Sequence, residues 1–346
     1  MMKVALLGAG WFGREAHLRN LIRMEGIEVA AVSSRSEESL SAARELAGPS
    51  LHCTRNWKEL VGSHELDAVI VSLTNDQHYV ATIAALEAGK HVLCEKPLGL
   101  SLRQCDEINE CAATSGKVLQ VGHEMRFQAL YEEMKARIER GDVGALQLMW
   151  CREFRGPMRP GWRSKESLTG GTILEKNVHH IDLFHWMIPG KAVRVSAHGG
   201  TNVLSDREVL DNARVLIEFE EGRRATLELC LFAPSGGECE IGVCGDEGRI
   251  DTRNQALELT YHSFNEGTSE TKVVEDDDTA ANFTDGSGRV DRGIGPELEH
   301  FFECIRTGKK PLNDGESARE AVAVCLAAQE SIRRKESVTM AEFEKG

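Results

Sequence analysis

The sequence predicts an α/β protein in two parts, the first built on a parallel sheet and the second on a large, mostly antiparallel open sheet. Its 346 residues exceed what one ordinary compact core holds, so two domains are expected. The first third alternates apolar strand-like runs with amphipathic helical stretches, whereas strand-like segments dominate after residue 122. Hydrophobic residues at 41% and charged residues at 28% are typical of a globular chain.

The N-terminal pattern predicts strands connected by helices. Such alternation is typical of a parallel sheet with helices on both faces. The predicted strands are 4–7, 27–33, 68–73, 91–93 and 118–121, and the helices between them are 14–25, 37–46 and 79–88.

The pattern changes after residue 122, where the predicted boundary divides a domain at 1–122 from one at 123–346. Glu221-Gly222 predicts a hairpin turn between two alternating strands, 263–295 predicts a long polar loop, and the C-terminal helices are expected to pack back on the first domain. The predicted helices are 130–140, 174–187, 296–308 and 316–335, and the predicted strands are 145–154, 193–198, 214–220, 225–232, 238–244 and 257–262.

Charge and cysteine usage exclude several classes of function. A formal net charge of −14 argues against nucleic acid or an anionic membrane surface as the main partner. No apolar run approaches the length of a membrane span, and the apolar start is shorter than a signal-peptide core. Ten cysteines without a C-x-x-C pair predict free thiols in a reducing compartment, and therefore a cytoplasmic protein without a zinc framework.

A glycine motif follows the first strand. Gly8, Gly10 and Gly13 form G-x-G-x-x-G around Ala9, Trp11 and Phe12, directly between a strand and a helix. In that context the first glycine permits a tight turn, the second lets a pyrophosphate approach the backbone, and the third allows close helix packing. We therefore predict a dinucleotide site.

The end of the second strand indicates which dinucleotide binds. The acidic residue expected there to hold the adenosine ribose is replaced by Ser33-Ser34-Arg35. Two hydroxyls and a guanidinium suit a 2′-phosphate, so NADP is favoured over NAD, although Arg35 could also stack on adenine in either cofactor.

Two clusters offer catalytic groups. Lys96 follows a short strand, at the edge where open α/β sheets bind ligands, and can donate to a substrate oxygen. On an ideal α-helix, Glu175, His179 and Asp182 fall on one face, an arrangement suited to removing a hydroxyl proton. Glu175 and His179 also have the spacing of two metal ligands, but no third ligand is evident and we predict no metal.

Together these motifs make the chain resemble the Gfo/Idh/MocA family of NAD(P)-dependent sugar and inositol oxidoreductases. The likeness extends over essentially the whole chain and includes Glu95-Lys96-Pro97 and the pattern Gly-Gly-x-x-x-acid-x-x-x-His-x-x-Asp from Gly170 to Asp182. It implies a Rossmann domain followed by an α/β domain whose open sheet forms homodimers or homotetramers.

The resemblance also implies roles for individual residues. Lys96 corresponds to the catalytic lysine, His179 to the acid/base histidine and Glu175 to a substrate-binding carboxylate. The implied substrate contacts add Arg126, Trp162 and Arg163. Implied cofactor contacts beyond the glycine turn and 33–35 are Leu73, Thr74, Asn75, His78, Glu95 and Lys96.

We therefore predict a dehydrogenase that transfers hydride between a nicotinamide and a secondary hydroxyl of a sugar, sugar derivative or cyclic polyol. One alternative is a redox-neutral enzyme that oxidises a sugar transiently to permit elimination, epimerisation or glycoside cleavage. A cofactor-sensing or scaffolding protein is a further alternative, in which the lysine, glutamate and histidine would have no purpose. The arginines near these motifs, at positions 126, 152, 155, 159 and 163, could bind an anionic sugar.

Overall fold

Two large sheets dominate the computed structural model, which describes residues 1–63, 65–157, 161–233, 238–275, 283–284, 290–291 and 293–345. The chain divides into two compact units. The described residues of the first unit are 1–63, 65–124, 283 and 293–319, and those of the second are 125–157, 161–233, 238–275, 284, 290–291 and 320–345.

The sheet of the first unit has six parallel strands in the order β3-β2-β1-β4-β5-β6. β4 is buried along its whole length because helices cover both faces of such a sheet. This strand order is that of a Rossmann fold, as predicted. The strands are β1 (Met2–Leu7), β2 (Ile27–Ser33), β3 (His52–Thr54), β4 (Ala68–Val71), β5 (His91–Glu95) and β6 (Leu119–Gly122).

Five helices connect these strands. Ser36 and Ser101 cap two of them by accepting hydrogen bonds from the backbone N–H three residues later, which satisfies donors that the first helical turn leaves free. The helices are α1 (Arg19–Leu21, after a π-helical turn at Gly13–Leu18), α2 (Glu37–Ala47), α3 (Trp57–Val61), α4 (Asn75–Glu87) and α5 (Leu102–Ser115).

The sheet of the second unit has nine strands in the order β14-β13-β12-β11-β7-β10-β9-β8-β17, antiparallel except between β7 and β10. The strands are β7 (Leu146–Phe154), β8 (Ala192–Gly200), β9 (Asn212–Phe219), β10 (Arg224–Cys230), β11 (Glu238–Gly245), β12 (Gly248–Arg253), β13 (Glu258–Ser263), β14 (Thr268–Val273) and β17 (Val338–Thr339). A separate two-stranded pair comprises β15 (Phe283–Thr284) and β16 (Val290–Asp291).

The remaining helices lie in the sequence around these strands. Helix α9 joins the core of the first unit through Ile294, Leu298, Phe301 and Phe302. The helices are α6 (Ala129–Glu139), α7 (Glu166–Thr169), α8 (Val178–Met187, after a π-helical turn at Ile173–Asn177), α9 (Ile294–Thr307), α10 (Gly315–Arg334) and α11 (Met340–Phe343). None of the described helices is both long and apolar enough to cross a membrane.

The predicted fold class is confirmed, and two predictions about elements need correction. The long loop predicted at 263–295 is wrong over 268–273, where β14 pairs with β13, and at 283–284 and 290–291, which pair with each other. β14 is exposed at every position, so it has no apolar alternation to reveal it. The remainder of 276–292 lies outside the described residues. The helix predicted over 174–187 is a π-helical turn followed by α8.

Candidate active site

The turn after β1 needs glycine at two of its three motif positions for steric reasons. A Cβ on Gly8, whose φ is +104°, would lie 2.1 Å from the Ser72 carbonyl oxygen, and one on Gly13 would lie 2.1 Å from the Gly8 carbonyl oxygen. A Cβ on Gly10 would meet nothing within 4 Å. The backbone at Gly10 therefore faces open space, as close approach of a pyrophosphate requires, and the turn fits a dinucleotide.

The two aromatic residues of the motif differ in environment. Trp11 is 48% exposed. Phe12 packs edge-on against the imidazole of His17, with ring centroids 5.6 Å apart. Phe12 therefore supports the turn from inside, and cofactor binding by either side chain stays a prediction.

The end of β2 carries the residues predicted to determine whether NADP or NAD is preferred. Ser33 is buried, and its hydroxyl makes no hydrogen bond within the described part of the chain. Arg35 is exposed, and its carbonyl oxygen accepts hydrogen bonds from Arg55 Nε at 3.1 Å and Nη2 at 2.7 Å. Ser34 Oγ accepts a hydrogen bond from the Ser36 backbone N–H. A second guanidinium thus lies beside the Ser33-Ser34-Arg35 segment.

Sequence reasoning missed Arg55 because it lies twenty residues beyond Arg35. Parallel pairing places Thr54 of β3 opposite Ser33 of β2, and the residues that follow each strand become neighbours. The sequence feature that could have revealed Arg55 as a neighbour of Arg35 is a basic residue directly after the third strand.

His78 connects two loops of the predicted cofactor site. Its Nδ1 lies 2.8 Å from the Pro97 carbonyl oxygen and its Nε2 lies 3.1 Å from the Leu73 carbonyl oxygen. Burial lowers the pKa of this imidazole. Thr74 and Asn75 begin α4 directly after Leu73. The geometry gives His78 a positioning role between these loops, and its direct contact with cofactor stays a prediction.

Glu95 and Lys96 end β5 in different environments. Glu95 is buried, and its Oε1 lies 2.8 Å from His17 Nε2. A Cβ on Gly122 of β6 would lie 2.9 Å from the Glu95 carboxyl carbon, so a larger residue there would force the Glu95 carboxylate to move. Lys96 is half-buried and leaves the sheet at the carboxyl edge, where open α/β sheets bind ligands. His17 was missed, since nothing in the sequence links it to Glu95.

In the second unit, the structure brings together three residues predicted to bind substrate. Glu175 is buried in the π-helical turn, and Arg163 Nε donates to its Oε1 at 3.0 Å. The Arg163 guanidinium carbon lies 4.6 Å from the centre of the Trp162 ring. Glu175 is therefore a charge-paired carboxylate with an aromatic residue beside it, an arrangement suited to a hydroxylated ring.

His179 and Asp182 both lie on α8 but have different partners. His179 is half-buried. Asp182 is buried and accepts hydrogen bonds from Arg126 Nε at 2.7 Å and Nη2 at 2.6 Å. Because Glu175 lies in a π-helical turn, the ideal α-helical spacing used to align it with His179 and Asp182 is wrong for this segment.

Four of the five arginines expected near the site lie among the described residues, and each of these four is paired with a carboxylate. This pairing weakens the case for an anionic substrate, since the positive charges are already compensated. The pairs are Arg126 with Asp182 at 2.6 Å, Arg152 with Glu240 at 2.8 Å, Arg155 with Glu153 at 3.4 Å and Arg163 with Glu175 at 3.0 Å. Arg159 lies outside the described residues.

Two further histidines on α8 contact the interior of the second unit, with His180 buried and His185 partly buried. His185 packs edge-on against Phe219 with ring centroids 5.4 Å apart, and burial lowers its pKa to about 4. His180 Nε2 lies 3.4 Å from Cys239 Sγ. Both rings belong to the interior of the second unit.

Family models match both parts of the chain. The model described as "Oxidoreductase family, NAD-binding Rossmann fold" (GFO_IDH_MocA) matches residues 2–123. The model described as "Oxidoreductase family, C-terminal alpha/beta domain" matches residues 135–340.

Curated relatives match over most of their length. A myo-inositol 2-dehydrogenase of Thermotoga maritima is 27% identical, over 99% of this chain and 99% of its own. A 1,5-anhydro-D-fructose reductase of Ensifer adhaerens is 33% identical, over 73% of this chain and 76% of its own.

Solved structures share the fold. A probable dehydrogenase from Thermotoga maritima is 25% identical, with a TM-score of 0.82 over 99% of this chain and 100% of its own. A levoglucosan dehydrogenase in complex with NADH is 20% identical, with a TM-score of 0.85 over 98% of this chain and 99% of its own, a likeness of fold.

Proposed function

Because this chain belongs to the Gfo/Idh/MocA family of oxidoreductases, we propose that it is an NAD(P)-dependent dehydrogenase of a secondary hydroxyl on a sugar, sugar derivative or cyclic polyol. The observation that carries the proposal is the match over nearly the full length of both chains to a myo-inositol 2-dehydrogenase. The 1,5-anhydro-D-fructose reductase supports the same substrate class.

The proposed chemistry assigns one task to each side chain. When bound, the nicotinamide supplies the hydride acceptor or donor. In the oxidative direction His179 accepts the hydroxyl proton, and Lys96 donates a hydrogen bond to the same oxygen as negative charge develops there. Glu175, oriented by Arg163, binds neighbouring hydroxyls and fixes the ring.

The test is a panel of inositols, sugars, anhydrosugars and uronates with each cofactor, followed through nicotinamide absorbance. With the best substrate, Lys96→Ala and His179→Ala should each lower kcat by roughly 10²–10⁴-fold while changing the cofactor Kd little. Lys309→Ala and His198→Ala, which alter exposed residues, are the controls. Full activity in the Lys96 and His179 variants rejects the assignment, and product formed without net cofactor turnover favours the redox-neutral alternative.

NADP as the preferred cofactor rests on the second guanidinium at the end of β2. Arg35 and the neighbouring Arg55 give the segment two positive charges, and Ser33 precedes Arg35 by two residues in the sequence. Removing both should lower the ratio of kcat/KM for NADP to that for NAD by ten-fold or more, since each loses a charge-assisted contact. Arg44→Ala, on the surface of α2, is the matched control. A wild-type preference for NAD would contradict the proposal.

The proposal also covers the domain limits of the protein, its oligomeric state and its location in the cell. We assign the cofactor domain to 1–122 and the substrate and assembly domain to 123–346, with homodimers or homotetramers formed through the open sheet. Leu148 and Leu216 expose apolar side chains on that sheet. The ten free cysteines suit a reducing compartment and support a cytoplasmic location.

A further inference from the structure

Three metal-ligating side chains, none of them assigned to catalysis, converge inside the second unit. Cys151 lies on β7, Cys239 on β11 and His180 on α8, and all three are buried. Their ligand atoms, two Sγ and one imidazole nitrogen, all lie within 4.8 Å of one another. Among the described residues, no other group of three or more histidines, cysteines and acids comes this close.

Strand pairing accounts for the position of the two sulfurs. β7 and β11 are antiparallel neighbours, with Cys239 opposite Glu153 and Cys151 opposite Ile241. Residues two apart on a strand share a face, so both cysteines and Glu153 project to the same side of the sheet. His180 reaches that side from α8, with Nε2 3.4 Å from Cys239 Sγ.

The distances suit a metal ion. With metal–sulfur bonds of about 2.3 Å and metal–nitrogen bonds of about 2.0–2.1 Å, ligand atoms around a tetrahedral or trigonal ion lie roughly 3.5–4.0 Å apart. The observed 3.4 Å between Cys239 Sγ and His180 Nε2 and the 4.8 Å limit for the set require only small side-chain adjustments.

The surroundings of His180 fix which ring nitrogen faces the sulfurs. Its Nδ1 lies 3.6 Å from Glu153 Oε2, and Asn177 Nδ2 donates to the same oxygen at 2.9 Å. A metal-binding histidine is commonly oriented in this way by a carboxylate on its other nitrogen.

We propose that Cys151, Cys239 and His180 form a buried site for one thiophilic metal ion. Two thiolates and an imidazole select Zn²⁺ or Cu⁺ over harder cations. Charge balance favours Zn²⁺: the ion neutralises the two thiolates, while Arg155 neutralises Glu153 at 3.4 Å. The bound ion links α8, which carries His179, to two central strands of the sheet.

The test measures metal in the full-length protein, purified under reducing conditions without chelators. Apoprotein prepared with a chelator then receives Zn²⁺ in one arm and Cu⁺, without oxygen, in the other. The wild type and Cys105→Ala, which alters a buried cysteine of α5, should bind one ion per chain in at least one arm. The double variant Cys151→Ala/Cys239→Ala should bind none at the same concentration.

A second measurement separates loss of the site from loss of the fold. Metal that binds only the folded state raises its thermal midpoint. The wild type and Cys105→Ala should show this rise and the double variant should not, whatever its own midpoint. X-ray absorption at the metal edge should give two sulfur ligands and one imidazole. Failure of the wild type to bind either ion, equal binding by the double variant, or a Cys151–Cys239 disulfide in its place would overturn the proposal.

Discussion

At the scale of single residues, the three glycines of the nucleotide turn have separable roles. Gly13→Ala should unfold at lower temperature than the wild type, because its Cβ would lie 2.1 Å from the Gly8 carbonyl oxygen. Gly10→Ala should keep the wild-type thermal midpoint and bind cofactor at least ten-fold more weakly, because the methyl group projects into the open space assigned to pyrophosphate. Cofactor titration and thermal unfolding test both variants. Gly141→Ala is unsuitable as a control, because its φ of +85° would strain an alanine at that position.

Gly62→Ala is a better control for this pair. Gly62 has a helical backbone with φ −71°, and its nearest contacts to a Cβ lie at 3.9 Å. It should leave both the midpoint and cofactor affinity unchanged. If Gly10→Ala binds cofactor as tightly as this control, the turn does not hold the pyrophosphate.

The buried Arg126–Asp182 ion pair should contribute strongly to the free energy of unfolding. Both side chains are at most 4% exposed, so Asp182→Asn leaves a buried guanidinium without its counter-charge and should cost about 3–5 kcal/mol in the free energy of unfolding. Urea unfolding measures the loss. Arg152→Ala breaks the more exposed pair with Glu240 and should cost less than about 1 kcal/mol.

The double variant Arg126→Met/Asp182→Leu extends this prediction. Replacing both charges by apolar side chains of similar size should recover much of the loss seen in Asp182→Asn, since no buried charge remains unpaired. Equal losses in the double and single variants would show that packing, and not charge, accounts for the effect.

Residues near one another in sequence were the predictable ones. The glycine turn follows from a local motif, whereas Glu175 and Arg163 were each expected to bind substrate and their pairing was not predicted. His17 beside Glu95 and Arg55 beside Arg35 depend on how strands pair and helices pack over long separations, which one sequence does not reveal. The partner of Arg126 was likewise hidden, although both Arg126 and Asp182 had been singled out.

At the scale of elements, helix α8 should make stability depend on pH. His185 has a folded pKa of about 4 against an ordinary value near 6.5, because burial disfavours its charged form. Between these values the unfolded chain binds the proton and the folded chain does not, so stability falls as the pH falls from 6.5 to 4. The contribution across this window is about 3 kcal/mol.

Urea unfolding at pH 7 and pH 5 measures this effect. His185→Gln should lose less stability than the wild type between the two pH values, because its side chain does not titrate. His52→Gln, on the exposed β3, should keep the wild-type pH dependence. Identical pH dependence in His185→Gln and wild type would show that His185 charges as readily in the folded state as in the unfolded one.

A buried face helped prediction but did not ensure it, since β12 buries Gly248, Ile250 and Thr252 and was still not predicted. β2 was located to the residue, and the turn at Glu221-Gly222 joins β9 to β10 as predicted, with φ of 59° and 78°. β14 was not predicted, because all of its side chains are exposed and show no apolar alternation. The π-helical turn at Ile173–Asn177 was not predicted, because over a single turn the spacing of hydrophobic residues is the same as in an α-helix.

At the scale of the whole molecule, the open sheet of the second unit should determine the oligomeric state. Leu148 and Leu216 are 45% and 37% exposed on this sheet, and burying them against a second copy would be favourable. The double variant Leu148→Lys/Leu216→Glu should shift the protein to monomer in light scattering coupled to size-exclusion chromatography. Val203→Glu, a change at a side chain that is 56% exposed outside any strand, should not. A wild-type monomer would contradict the assignment.

The place of β7 in its sheet has a consequence for synthesis of the chain. β7 is the first strand of the second unit to be made, yet its two neighbours are β10 and β11, whose residues opposite Cys151 are Leu227 and Ile241. Translation must continue for roughly 75 residues past Cys151 before one edge of β7 can be paired and for roughly 90 before both can, and the longer wait takes about 5–18 s at 5–20 residues per second. During that interval an apolar strand emerges from the ribosome with at least one unpaired edge. The nascent second unit is therefore the part of this protein that depends most on chaperones, and slower translation after β7 would lengthen its exposure to aggregation.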